Sequence, residues 1–219
     1  MPPAPQPLVQ RPPVAEPLRK APSQTRALRT VDTLCEAAVR LLETEGEAGF
    51  TTNRVAQRAG YSIGTLYQYF PSKEAIVVAL VRRQRERVMR ELEALLACAA
   101  RGECSPEDAL QRYVRRLIEA FGRGQRAQRL LARLGWTLDA PALIVQSMDE
   151  GSAQIIAAIE RLGDPQWPAP DAMGMFALSR AVMGAVRAAT LEDHPALDDP
   201  RFEAALVAMC RGLLHRPAR

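Results

Sequence analysis

The side chains best able to do chemistry stand together between Thr51 and Lys73, in the run TTNRVAQRAGYSIGTLYQYFPSK. Hydroxyls at Ser62 and Thr65, reach at Tyr67, Gln68 and Tyr69, and a cation at Lys73 suit contacts to phosphates and base edges. Ile63 offers an apolar contact of the kind a thymine methyl group accepts, and Gly64 removes a side chain where a backbone must approach closely. Catalytic groupings are missing by contrast. His194 sits beside Pro195 and His215 near the end, and neither belongs to an E-x-x-H or H-E-x-x-H pattern. Cys35, Cys98, Cys104 and Cys210 form no C-x-x-C pair, so structural zinc spacing is absent and no metal or cofactor is expected. Small, buried or half-buried thiols are the expected state of all four cysteines.

These groups need two short helices and a tight turn to present them. Thr52 is expected to cap a helix containing Val55, Ala56 and Ala59, closed by Gly60. Ser62 can cap a second, Ile63 to Tyr69, which Pro71 stops; Ser72 then caps a long helix from Lys73 to about Ala100. Upstream, from about Gln24 to Glu45, Val31, Leu34, Ala38, Leu41 and Leu42 make one stripe at helical spacing, ended by Gly46 and Gly49. Val55, Ile63 and Leu66 can bury against that first helix, and Leu66 and Phe70 are assigned to the core. The geometry is that of a helix-turn-helix, whose second short helix enters the major groove and points its N-terminal N–H groups at phosphate.

The remainder also reads as helices between breakers, so the expected fold class is all-α. Ser105, Pro106 and Asp108 open a helix reaching about Phe121, and Gly122 and Gly124 end it. Shorter and longer helices follow over Gln125–Gly135, Asp139–Leu162, Asp171–Thr190 and Pro200–Leu214, with a turn at His194-Pro195. No segment alternates as a strand does, and there is no internal repeat. Residues 1–22 carry eight prolines and are expected to be a disordered arm. The expected division is an arm over 1–22, a helix-turn-helix domain over 23–72, and a longer helical domain over 73–219.

Charge agrees with a polyanion partner at one end. The formal net charge is +4, but residues 19–90 carry 13 Lys/Arg against 7 Asp/Glu, and residues 91–219 carry 15 against 17. Arg82, Arg83, Arg85, Arg87 and Arg90 are expected to face solvent or pair with acids. Arg19, Lys20, Arg26 and Arg29 are read as a solvated arm, with a minor-groove role as the alternative. No apolar run approaches the roughly 18 residues of a membrane helix, and the N-terminus does not read as a signal peptide. Cytoplasmic residence and no membrane partner are expected.

The segment Ala59-Gly60-Tyr61-Ser62-Ile63-Gly64-Thr65-Leu66-Tyr67-Gln68-Tyr69-Phe70-Pro71-Ser72-Lys73-Glu74 resembles the TetR family's A-G-x-S-x-G-x-L-Y-x-Y-F-x-S-K-E without a gap. The resemblance covers about residues 25–80, and Tyr61 stands where the family more often has valine. It implies that Thr52, Tyr67, Tyr69 and Lys73 hold the phosphate backbone, that Arg54 adds a contact, and that Ser62, Ile63, Gly64, Thr65 and Gln68 approach bases. It also implies a non-enzymatic, dimeric repressor that binds double-stranded operator DNA and leaves it when a small effector binds.

In the family the last two long helices form the contact between subunits, which here would draw on Leu178, Val182, Val186, Phe202, Leu206, Met209 and Leu213. One short recognition helix reads too few bases alone, and this favours a homodimer on a palindrome. Phe121, Leu131, Leu134, Trp136, Met148, Met175 and Met183 are candidate walls of an effector pocket for an apolar or amphipathic molecule. The alternatives are a helical-bundle interaction module that no longer binds DNA and, less well supported, a bundle enzyme.

Overall fold

The computed structural model describes residues 25–138 and 141–215. Among them run nine α-helices, one 3-10 turn and no strand: α1 (Thr25–Gly49), α2 (Thr52–Ala59), α3 (Ile63–Tyr69), α4 (Lys73–Ala100), α5 (Pro106–Ala120), α6 (Arg126–Thr137), α7 (Pro141–Leu162), α8 (Ala172–Leu191), the turn Pro195–Asp198, and α9 (Pro200–Leu214). The fold is all-α, as the breakers and periodicity require. The proline-rich arm and Asp139 lie outside the described residues. Where a plain turn was expected at His194-Pro195, Pro195–Asp198 winds into a 3-10 turn, its Leu197 fully buried.

The N-terminal helices share one core. The α1 stripe of Val31, Leu34, Ala38, Leu41 and Leu42 meets Phe50, Val55, Ala56, Leu66 and Phe70. Burying each large apolar side chain contributes on the order of 1.5–3 kcal/mol, and this tertiary packing holds α2 and α3, which are too short to persist alone. The expected end of α1 at Glu45 is a kink instead. Gly46 takes a non-helical φ of 69°, after which another turn runs to Gly49. Six consecutive α4 residues, Ala75 to Leu80, are buried all round, so the start of α4 is sunk in this core.

A second core joins Val114 and Ile118 of α5 to Leu178, Val182 and Val186 of α8 and Leu206, Cys210 and Leu214 of α9, with Trp167 and Leu197. Helix α6 bridges the halves. Its Ala127 and Leu131 belong to the N-terminal core. Gln125 gives α6 no side-chain cap; Glu43 of α1 supplies one from outside, its Oε2 accepting from the Ala127 N–H at 2.6 Å.

The α5–α6 connection turns on Gly122, at φ 108°, where a Cβ would lie 2.5 Å from Arg129 Cα. Backbone cannot yield as a flexible side chain can. Gly122→Ala is expected to destabilise the chain by about 3 kcal/mol or more. Gly124→Ala, at φ 67° with nothing within 4 Å, should cost only about 1–2 kcal/mol. Urea unfolding of the two variants checks the difference.

Candidate nucleic-acid interface and effector cavity

Each end of α2 and α3 is fixed by local chemistry. Thr51, not Thr52, is the N-cap of α2, its hydroxyl accepting from the Arg54 N–H at 3.3 Å. Of two adjacent threonines, the one with extended backbone caps. Thr52 is instead the first helical residue, and its Oγ1 lies 3.3 Å from Tyr67 Oη, tying α2 to α3. Gly60 closes α2 in the left-handed conformation at φ 74°. Ser62 caps α3, accepting from the Thr65 N–H at 3.1 Å and sharing a 2.9 Å hydrogen bond with the Thr65 hydroxyl. Ser72 caps α4 through the Ala75 N–H at 3.2 Å.

Helix α3 is two-sided. Leu66 is fully buried, while Ser62, Gly64, Gln68, Ile63 at 37% and Tyr67 at 43% stand exposed. Ile63 therefore faces outward rather than burying against α1, leaving its apolar surface for an external contact. A Cβ on Gly64 would have only Ser62 Oγ near it, at 3.7 Å, so nothing inside the chain requires glycine there. Thr65 and Lys73 are half-buried, and Lys73 makes no ion pair among the described residues. Tyr69 is half-buried against the N-terminal core, so its ring is partly committed to packing. Arg54 is also committed: Glu45 of α1 holds it at 2.6 Å, with Arg58 at 3.7 Å from the same carboxylate. The expected extra phosphate contact is thus an intramolecular ion pair here. The α4 arginines behave as expected, with Arg83 on Asp32 and Arg85 on Glu150.

A cavity of about 230 Å³ lies among α4 to α9. Of the candidate effector walls, Phe121, Leu131, Met148, Met175 and Met183 line it, and Leu134 and Trp136 do not. Leu134 packs against the N-terminal core. Trp136 stacks on Phe121 with centroids 6.2 Å apart, under the Arg187 guanidinium at 5.0 Å. Residue types alone could not show which wall of α6 each occupies. The sequence reading also missed the α4 and α5 walls, Val88, Leu92 and Tyr113 among them; the 88–92 spacing was the available signal.

The assumed subunit-contact residues divide. Leu178, Val182, Val186 and Leu206 are buried in the chain's own core, and Phe202 is half-buried against it. Leu178, Val182, Val186 and Leu206 therefore offer little surface to a partner, while Phe202 keeps some. Met209 at 38% and Leu213 at 40% are exposed, beside Met173 at 76% and Phe176 at 54%. Ala177, Ala181, Gly184 and Ala188 of α8 share that exposure.

The cysteines are free. Burial pushes the Cys35, Cys104 and Cys210 thiols up to about 11, which holds them protonated. Among the described residues no group of three or more His, Cys, Asp or Glu could hold a metal ion, and no helix is long and apolar enough to cross a membrane.

Comparison with known proteins agrees with this geometry. Residues 34–80 match the family model of bacterial regulatory proteins of the tetR family. An HTH-type transcriptional regulator of Mycobacterium tuberculosis is 37% identical over 75 residues, covering 34% of this chain and 37% of that protein. The nucleoid occlusion factor SlmA of Haemophilus ducreyi is 33% identical over 119 residues, covering 54% of this chain and 56% of that protein. The chain thus spans between about a third and somewhat over half of these relatives' lengths. A crystal structure of a TetR-family transcriptional regulator from Pectobacterium atrosepticum shares the fold, with a TM-score of 0.67, 20% identity, and coverage of 90% of this chain and all of that one. Residues 34–80 are thus similar to the tetR family of bacterial regulatory proteins, and the described helices share the fold of a solved TetR-family regulator.

The Ser62 hydroxyl has an internal role that substitution can separate from an external one. Ser62→Ala should cost about 1 kcal/mol of stability through the lost cap. Ser62→Asp should keep the cap and the stability, yet weaken DNA binding by placing a carboxylate toward phosphate. Thermal unfolding and a DNA titration on both variants check this; equal effects of the two on either readout would contradict it.

Proposed function

We propose that the chain is a ligand-responsive transcriptional repressor that binds palindromic operator DNA as a homodimer and is released by a small apolar or amphipathic effector. The carrying observation is the exposed row on α3. Ile63, Gly64, Tyr67 and Gln68 face outward while Leu66 anchors the same helix from behind. On this reading Ser62, Ile63, Gly64, Thr65 and Gln68 approach bases, and Thr52, Tyr67 and Lys73 hold phosphates. Tyr69 adds its hydroxyl from a ring otherwise packed inward. The DNA-binding unit is taken as 23–72 and the effector and dimerisation unit as 73–219, in a cytoplasmic protein.

The apolar outer face of α8 and α9 supports the dimer. Small residues flanked by Met173, Phe176, Met209 and Leu213 let helices of two subunits approach closely. Two recognition helices roughly 34–36 Å apart would then read two half-sites.

Release follows from shared walls. Leu131 belongs both to the N-terminal core and to the cavity lining, and Val81 of α4 likewise packs on that core and lines the cavity. An occupant that moves α6 or α4 strains the seat of α2 and α3. Effector and operator then weaken each other's binding by equal factors.

Titration of the dimer against DNA from the chain's own upstream region tests the reading, and affinity should fall steeply with salt. Tyr67→Ala and Lys73→Ala should cut affinity with the dimer still folded, and Lys73→Ala should reduce the salt slope by about 1. Thr65→Ala should change which operator is preferred. Unaltered binding by all three removes α3 from the groove. Ala181→Arg, on the exposed α8 face, should sediment as a monomer and lose tight operator binding; a stable dimer would move the interface elsewhere.

A further inference from the structure

We propose that the cavity takes a neutral, elongated apolar molecule bearing a single hydrogen-bond acceptor, a ketone or ester carbonyl, and that Tyr113 Oη is the donor that recognises it. The inference rests on reading this cavity as the effector site, and it adds the ligand's chemical class.

Length comes from the walls. The lining follows α4 from Val81 to Ala99, about 27 Å at helical rise, while the enclosed space is only about 230 Å³. A narrow, long space fits a chain better than a compact ring system. Its walls are overwhelmingly aliphatic, aromatic and thioether, which suits hydrocarbon.

Neutrality comes from Arg85, the one charged side chain among the described residues of the lining. Its Nη2 donates to Glu150 Oε2 and its Nε to Ser147 Oγ, each at 2.5 Å. With that guanidinium paired, a carboxylate ligand would either displace Glu150 or sit unpaired in an apolar space, and the second is strongly unfavourable.

The acceptor comes from an inventory of the polar lining. Gln84 Nε2 donates to the Ala120 carbonyl at 2.5 Å, the Ser152 hydroxyl to the Met148 carbonyl at 2.6 Å, and the Ser179 hydroxyl to the Phe176 carbonyl at 3.0 Å. Tyr113 differs: its hydroxyl has no hydrogen bond among the described residues. It stands over Gly151, where a Cβ would lie 3.1 Å from Oη. Glycine at that position keeps the hydroxyl uncovered. Desolvation raises the phenol well above its ordinary range, so it stays protonated and able to donate. A donor that faces an apolar cavity without a partner is costly, and a ligand carbonyl removes that cost.

Calorimetric titration of the DNA-free full chain with nonan-2-one, nonane and nonanoate tests the assignment. Nonan-2-one should bind about tenfold more tightly than either of the others. Tyr113→Phe should lower nonan-2-one affinity about tenfold, equivalent to ~1.4 kcal/mol, and leave nonane within about twofold. Gly151→Ala, which brings a methyl group against Oη, should also lower nonan-2-one affinity. The proposal is overturned if nonanoate binds as tightly as the ketone, if no ketone binds, or if Tyr113→Phe weakens ketone and alkane equally. Ketone binding as described that leaves operator DNA bound would remove the effector reading and keep the ligand class. Operator release by an acid, with the ketone ignored, would do the reverse.

Discussion

A single rigid helix has to satisfy two different surroundings, and most of the molecule is arranged around that demand. Helix α4 is 28 residues long, about 42 Å. From Ala75 to Leu80 every side chain is buried, because α1, α6 and the rest of the N-terminal core close around it. Beyond Val81 only Val88, Leu92 and Ala99 are buried, a single stripe facing α5 and the cavity. An α-helix cannot bend within a turn without a breaker, and α4 has no glycine or proline in its length. Whatever shifts its distal stripe is therefore carried into the seat of the two short helices.

The two short helices were legible because local chemistry marks their boundaries. Gly60, Ser62, Pro71 and Ser72 each act within four residues of themselves, so no tertiary knowledge was needed to place α3. The misplaced cap shows the limit of this logic. Thr51 and Thr52 are chemically equivalent, and only the backbone conformation chooses between them. Choosing the wrong one also hid the Thr52–Tyr67 contact, which joins residues 15 apart in sequence.

The α8 and α9 faces show a different limit. Periodicity identifies an apolar stripe but not the chain it packs against. The resemblance puts the subunit contact on the last two long helices and spacing picks out Leu178, Val182 and Val186 there, which is also what an intrachain core selects. The less conspicuous side, with alanines, a glycine and a few methionines, is the one left uncovered. The cavity was similarly partial. Methionines and Phe121 were found by type, but Tyr113 and Gly151 acquire meaning only from their proximity across α5 and α7.

Helix α6 adds Leu131 to Val81 of α4 as a residue shared between the N-terminal core and the cavity wall. A ligand shifts an equilibrium only by its difference in affinity for the two forms, so a cavity walled off from the N-terminal core would couple to nothing. Leu131 removes that isolation by serving both packings at once. At the same helix, the Glu43 carboxylate caps the N-terminus from α1, a charge-assisted hydrogen bond that lengthens if α6 slides along its axis. Packing at one point and electrostatics about one turn away thus resist the same displacement. On the proposed reading, that shared resistance sets how much effector binding energy must be diverted from affinity into release.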